Sequence, residues 1–227
     1  AGYSIVYTPN SVELAPNGPT FVVNSLLDPG TGTCDVAECT LREAIDAANA
    51  LPAADTIGFD IPAVQCLGPG GACVIVPTSP LPPISTAMLI DGYTQGLAIE
   101  NGQSPDDELG TKAVLKIELD GSLNSAGVGL AVNAPSAMVA IRGLAIHGFG
   151  TAITTQGPSD SNYIIGGNFI GLRADGSLPA SPQLTGINVQ GGNTFIGDGT
   201  AANINVISGN QQRGIAITAL PALGNAV

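Results

Sequence analysis

The feature that most constrains this chain is a recurrence in its second half. Four short apolar segments, GLAV at 129–132, TAIT at 151–154, GINV at 186–189 and GIAI at 214–217, start 22, 35 and 28 residues apart. Two further runs precede each of the last three. One starts at Met138, Tyr163 or Phe195, and the other covers 144–146, 168–170 or 205–207. A fixed unit of three short strands with inserts of varying length is what a solenoid tolerates, because loops can grow on one side without disturbing the stack. Ala216 between Ile215 and Ile217 shows the period of two that turns alternate side chains inward. The recurrence therefore predicts an all-β fold, a parallel β-helix (solenoid) whose inward aliphatics stack at the strand spacing of about 4.8 Å.

Composition agrees with many short strands. The 227 residues include 31 Gly and 17 Pro, with few aromatic and few charged side chains. A mean hydropathy of +0.32 excludes a disordered polar chain. Asn162, Asn193 and Asn225 each stand just before a new unit. Stacked Asn side chains bonding along the axis and ordinary turn residues both fit that placement.

One segment departs from this pattern. CDVAECTLREAIDAANA at 34–50 is charged and helix-forming. Thr40 and Glu43 have capping-box spacing, and Leu41, Ala44, Ile45 and Ala48 share one helical face. A helix of about eleven residues is marginal alone in water and needs an apolar surface to lie on. The segment predicts a short N-terminal capping α-helix that covers the first open sheet edge, with Thr40, Leu41, Arg42, Glu43 and Ile45 fixing it in place. The expected organisation is an N-terminal strand or arm over 1–20, a cap and first coils over 21–110, and repeats over 111–227 continuous with them.

Eighteen acidic residues against six basic ones give a formal net charge of −12, so a phosphate backbone would be repelled and nucleic acid is not an expected partner. The cysteines fall in two close pairs, Cys34 with Cys39 and Cys66 with Cys73, and His147 is the single histidine. Two local disulfides and an oxidising compartment are the expected reading, with a four-cysteine zinc site as the alternative. The first residue, Ala1, fits a mature chain after signal-peptide removal or a trimmed one. The sequence has no apolar run long enough for a membrane-spanning helix and no N-x-[ST] sequon.

The stretch FVVNSLLDPGTGTCDVAECTLREAIDAAN at 21–49 resembles the N-terminal box of the CSLREA-domain family of secreted bacterial and archaeal proteins, with Thr40 where that family usually has Ser. DTIGFDIP at 55–62, PLPPIS at 80–85, IDGYTQ at 90–95 and NVISGN at 205–210 are similar to its downstream landmarks, although Gly96 stands where Pro usually follows the TQ. The resemblance implies a right-handed parallel β-helix of the pectin-lyase-like type, a secreted or cell-surface location and a prokaryotic source. It implies little about activity.

Candidate chemistry is sparse. Asp91, Asp106 to Glu108, Glu118, Asp120, Asp160, Asp175 and Asp198 are scattered, and the repeat alignment places no two as strand neighbours, so a glycosidase-like carboxylate pair is not expected. Asp28, Asp35 and Glu38 around the first cysteine pair are the better Ca²⁺ candidates; otherwise no cofactor is expected. His147 has no Ser or Cys partner in the alignment and reads as a surface or turn residue, and Arg142, Arg173 and Arg213 form no evident anion clamp. No catalytic residue is assigned.

The expected function is an extracellular structural or adhesive module that self-associates head to tail. Tyr3, Ile5 and Tyr7 of a strand-like YSIVY would pair across the contact with a final coil left uncapped at Asn225 and Val227; a fragment of a longer β-helix is the other reading of that end. The alternative is a polysaccharide-binding or polysaccharide-cleaving domain.

Overall fold

The computed structural model describes residues 3–7, 12–16, 18, 20–103 and 110–218. The strands are β1 Tyr3–Tyr7, β2 Val12–Pro16, β3 Thr20–Val23, β4 Asp55–Phe59, β5 Cys73–Ile75, β6 Met88–Asp91, β7 Ile117–Asp120, β8 Val128–Asn133 and β9 Met138–Arg142. They continue with β10 Leu144–His147, β11 Thr151–Gln156, β12 Asn162–Gly166, β13 Phe169–Ile170, β14 Gln183–Val189, β15 Asn193–Ile196, β16 Val206–Ile207 and β17 Asn210–Ile217. One α-helix, α1, spans Leu41–Asn49.

Three of the sheets are parallel throughout. Their orders are β3-β4-β6-β9-β12-β15, β5-β7-β10-β13-β16 and β8-β11-β14-β17. From β9 onward the chain visits the three sheets in the same order three times, so every strand pairs with the one three places along. Ile84 extends the third sheet below β8 through a parallel bridge to Val132. In the first circuit only β3 is a strand of these sheets, and the chain forms α1 before returning at β4. The hairpin of β1 and β2 is a separate antiparallel pair.

Each sheet carries an inward aliphatic ladder, which is why the short runs of Ile, Leu and Val recur. Ile57, Ile90, Ile141, Ile165 and Ile196 stand opposite one another in the first sheet. Ile75, Leu119, Ile146, Ile170 and Ile207 do so in the second. Leu130, Ile153, Ile187 and Ile215 form the third. Full burial of each such side chain stabilises by about 1.5–3 kcal/mol.

The ladders correct the register read from the motifs. Aligning Thr151 with Gly129 and Gly186 sets Ile153 beside Ala131 and Asn188, whereas Ile153 faces Leu130 and Ile187. In the first sheet Tyr163 faces Val139 and Thr194 rather than Met138 and Phe195. A one-residue slip exchanges the two faces of a strand, so burial of the aliphatics decides the register over the resemblance of the motifs.

Candidate functional site

At the N-terminal end, α1 buries Leu41, Ala44, Ile45 and Ala48 in the main core and packs on β3 and β4. Its capping box is complete: the Thr40 side chain accepts from the Glu43 amide, and the Thr40 amide donates to Glu43 Oε2 at 2.8 Å. Glu43 Oε1 accepts from the Gly32 amide, which ties down the segment leading into the Cys34–Cys39 disulfide loop. Burial pushes the Glu43 carboxyl up, but these amide donors outweigh it and hold it below its ordinary value. A second disulfide joins Cys66 to Cys73.

Arg42 reaches outward from α1 and grips Asp28 with Nε and Nη2 at 2.7 and 3.0 Å. Asp28 Oδ2 also accepts from the Thr78 amide and hydroxyl, at 2.8 and 2.9 Å. Burial raises the Asp28 carboxyl, yet Arg42 and Thr78 together depress it. The Ca²⁺ candidates are therefore not assembled. Asp28 is taken by Arg42 and Thr78, Asp35 accepts the amides of Ala37 and Glu38, and Glu38 accepts from Ser25. Among the described residues no group of three acidic, His or Cys side chains is placed to hold a metal ion.

The remaining landmark motifs recognise one another. Arg42 donates to the carbonyls of Ser79 and Pro80, while Asn49 donates to Pro83 O and accepts from Ser85, so PLPPIS is the strap across α1. Thr94 Oγ1 accepts from the Phe59 amide at 2.6 Å, and the Gln95 amide group bonds both the N–H and C=O of Ile61 at 2.9 Å. DTIGFDIP is thus locked to IDGYTQ. Gly92 lets this turn approach the next circuit, since a Cβ there would lie 2.1 Å from Gly143 O. Tyr93 Oη donates to Gly167 O at 2.8 Å, and burial pushes its phenol up to about 12. Asp91 and Glu100 both bind Arg142, at 2.7 and 2.9 Å.

His147 is not a surface residue. Its side chain is 3 % exposed, with Nε2 3.0 Å from Glu118 Oε1 and Nδ1 3.7 Å from Asp120 Oδ1. Arg173 Nη2 stands 3.1 Å from Glu118 Oε1, and the Ala174 amide donates to Oε2 at 2.9 Å. Burial pushes the Glu118 carboxyl up, but His147 and the other donors hold it below its ordinary value. The network escapes sequence reading because β7, β10 and the loop after β13 come from three different circuits. Its acid is sealed beneath Arg173 and Ala174, which suits an anchor rather than a catalyst. Arg213 is exposed and joins no clamp.

The Asn stacking has two parts. Asn162 and Asn193 are opposite one another, and Asn193 Nδ2 reaches Asn162 Oδ1 at 3.5 Å; Asn225 lies outside the described residues. The closer ladder is instead buried Asn168 with half-buried Asn205. Asn168 Nδ2 donates to Ile141 O, Gly166 O and Asn205 Oδ1, and Asn205 Nδ2 donates to Ile165 O. Its sequence signal was the Asn that opens both second strands.

The opposite end of the stack is different. β15, β16 and β17 each pair on one side only, as β3 and β5 do at the first end, but among the described residues no α-helix lies on them. Between them lies a cleft of about 600 Å³ whose apolar wall is Phe195, Ile196, Ile204, Ile207 and Ile215. The acid in that cleft, Asp198, is already bonded to Thr200 and Asn203. Of the residues expected to self-associate, Tyr3, Ile5 and Tyr7 lie in β1, paired to β2, while Asn225 and Val227 lie outside the described residues. No helix among the described residues is long and apolar enough to cross a membrane. Compared with known proteins, the chain matches no family model, no curated protein and no solved structure.

Proposed function

We propose that this chain is a right-handed parallel β-helix of the CSLREA-domain kind, secreted or displayed on a prokaryotic cell surface, with a structural or adhesive role. It self-associates by adding strands to the edge formed by β15, β16 and β17. The observation that carries this reading is the contrast between the ends of the sheet stack: α1 packs on β3 and β4 at one, while at the other, among the described residues, no α-helix lies on β15, β16 and β17 and an apolar cleft opens between them. Unpaired N–H and C=O groups on aligned edges are a template for further strands. The two disulfides agree with an oxidising compartment. The contacts among the landmark motifs give Asp28, Glu43 and Asp91 a structural reason to be where they are, each bonded within the fold.

Sedimentation and electron microscopy across a concentration series test this. Association is expected to weaken at least tenfold when Phe195→Lys and Ile217→Lys put charge on the edge, and to disappear when residues 1–14 are deleted. A discrete monomer at all concentrations, or association unchanged by these variants, overturns the reading.

A further inference from the structure

Asp55 is the one carboxylate of the core that the interactions above leave unused. Its row in the first sheet is inward-facing, with Met88 opposite it and then Val139 and Tyr163 in the following strands. The residue is 0 % exposed, and among the described residues neither carboxylate oxygen has a hydrogen-bond partner. Gly18 closes over it. The Gly18 amide donates to Ala54 O at 2.7 Å, and a Cβ at Gly18 would lie 2.0 Å from Asp55 Oδ1.

We infer that Asp55 and Gly18 form a pH-sensitive latch, which holds the segment before β3 against the first coil when Asp55 is protonated and releases it when Asp55 ionises. A buried carboxylate without a partner is costly, whereas the neutral acid is tolerated. β4 is held by β3 on one side and β6 on the other, so the relief open to an ionised Asp55 is to shed Gly18 and admit water. Among the described residues no compensating charge faces it. The β3 side offers Thr20 and, ahead of the strand, Gly18; the β6 side offers Met88 and, ahead of it, Ala87. On α1, Arg42 and Glu43 are engaged elsewhere and Asp46 is exposed. Burial alone accordingly raises the Asp55 carboxyl above its ordinary value. Because the folded value is raised, the latch is closed below the ordinary carboxylate range and opens as pH rises through the folded value. Freeing the β1–β2 hairpin for another molecule is a consequence that rests on the self-association reading; the latch itself does not.

The test is amide exchange at Gly18 in dilute, monomeric protein, expressed as protection factors. In the unsubstituted chain, protection is expected to fall about tenfold or more between about pH 3 and about pH 7. Asp55→Asn is expected to stay protected over that range, and Gly18→Ala to be unprotected throughout. Equal pH profiles for the unsubstituted chain and Asp55→Asn overturn the latch. So does a ¹³C titration in which the Asp55 carboxyl ionises at its ordinary value, a readout that needs no variant to fold. Neither result depends on association, so loss of the latch and loss of the assembly reading are separable.

Discussion

The two ends of the sheet stack treat the same problem in opposite ways. At the first circuit the edge residues are satisfied locally: α1 buries Ile45, Glu43 binds two backbone amides, and Arg42 binds Asp28 and two carbonyls. At the last circuit Phe195 is 38 % and Ile217 54 % exposed, and the edges of β15 to β17 carry no further strand among the described residues. The lesson is that parallel sheets need their edges covered by something shaped for the purpose, and charged side chains can do this only when their own hydrogen bonds close.

The comparison can be broken most sharply with apolar truncation. Ile45→Ala under the cap is expected to cost about 3–4 kcal/mol in denaturant unfolding, against about half that for Ile196→Ala at the open end. Equal losses would mean that the two ends are packed alike. The next effect is Glu43→Gln, which leaves a buried amide in place of the charge that binds Gly32 and Thr40. It is expected to lower stability by about 2 kcal/mol.

Acid should separate the ends in the same way. Asp28 and Glu43 are both depressed in the folded state, so their contribution is present above the ordinary carboxylate values and is lost as pH falls through the folded ones. Exchange protection of α1 is expected to fall in acid before that of β14. Simultaneous loss would show that the cap and the later coils open as one unit. Thr40→Ala, which removes the cap oxygen but leaves Glu43, is expected to cost about 1 kcal/mol. The smallest effect belongs to the open edge: Ile217→Lys should change unfolding free energy by no more than about 0.5 kcal/mol while weakening association. A large stability loss there would show that the edge is part of the packed core.

The three-strand recurrence and the capping box were legible because each is a local pattern: alternation along a strand, and a fixed offset between Thr40 and Glu43. The landmark motifs were legible as signals but not as contacts, since Gln95 meets Ile61 and Arg42 meets Ser79 only when separate circuits stack. His147 was misread for the same reason. On its strand it points away from the ladder of Ile146, which alone suggests exposure, and the cover comes from Arg173 and Ala174 in a later circuit.

The sequence by itself determined the strand content and the helix with its cap, because each follows from short-range geometry and from the period of two. Tertiary structure alone decided the register of the ladders, the fate of each buried acid and the difference between the two ends. Those depend on which residues become neighbours across circuits, where a one-residue shift or a single missing donor changes whether a buried group is satisfied.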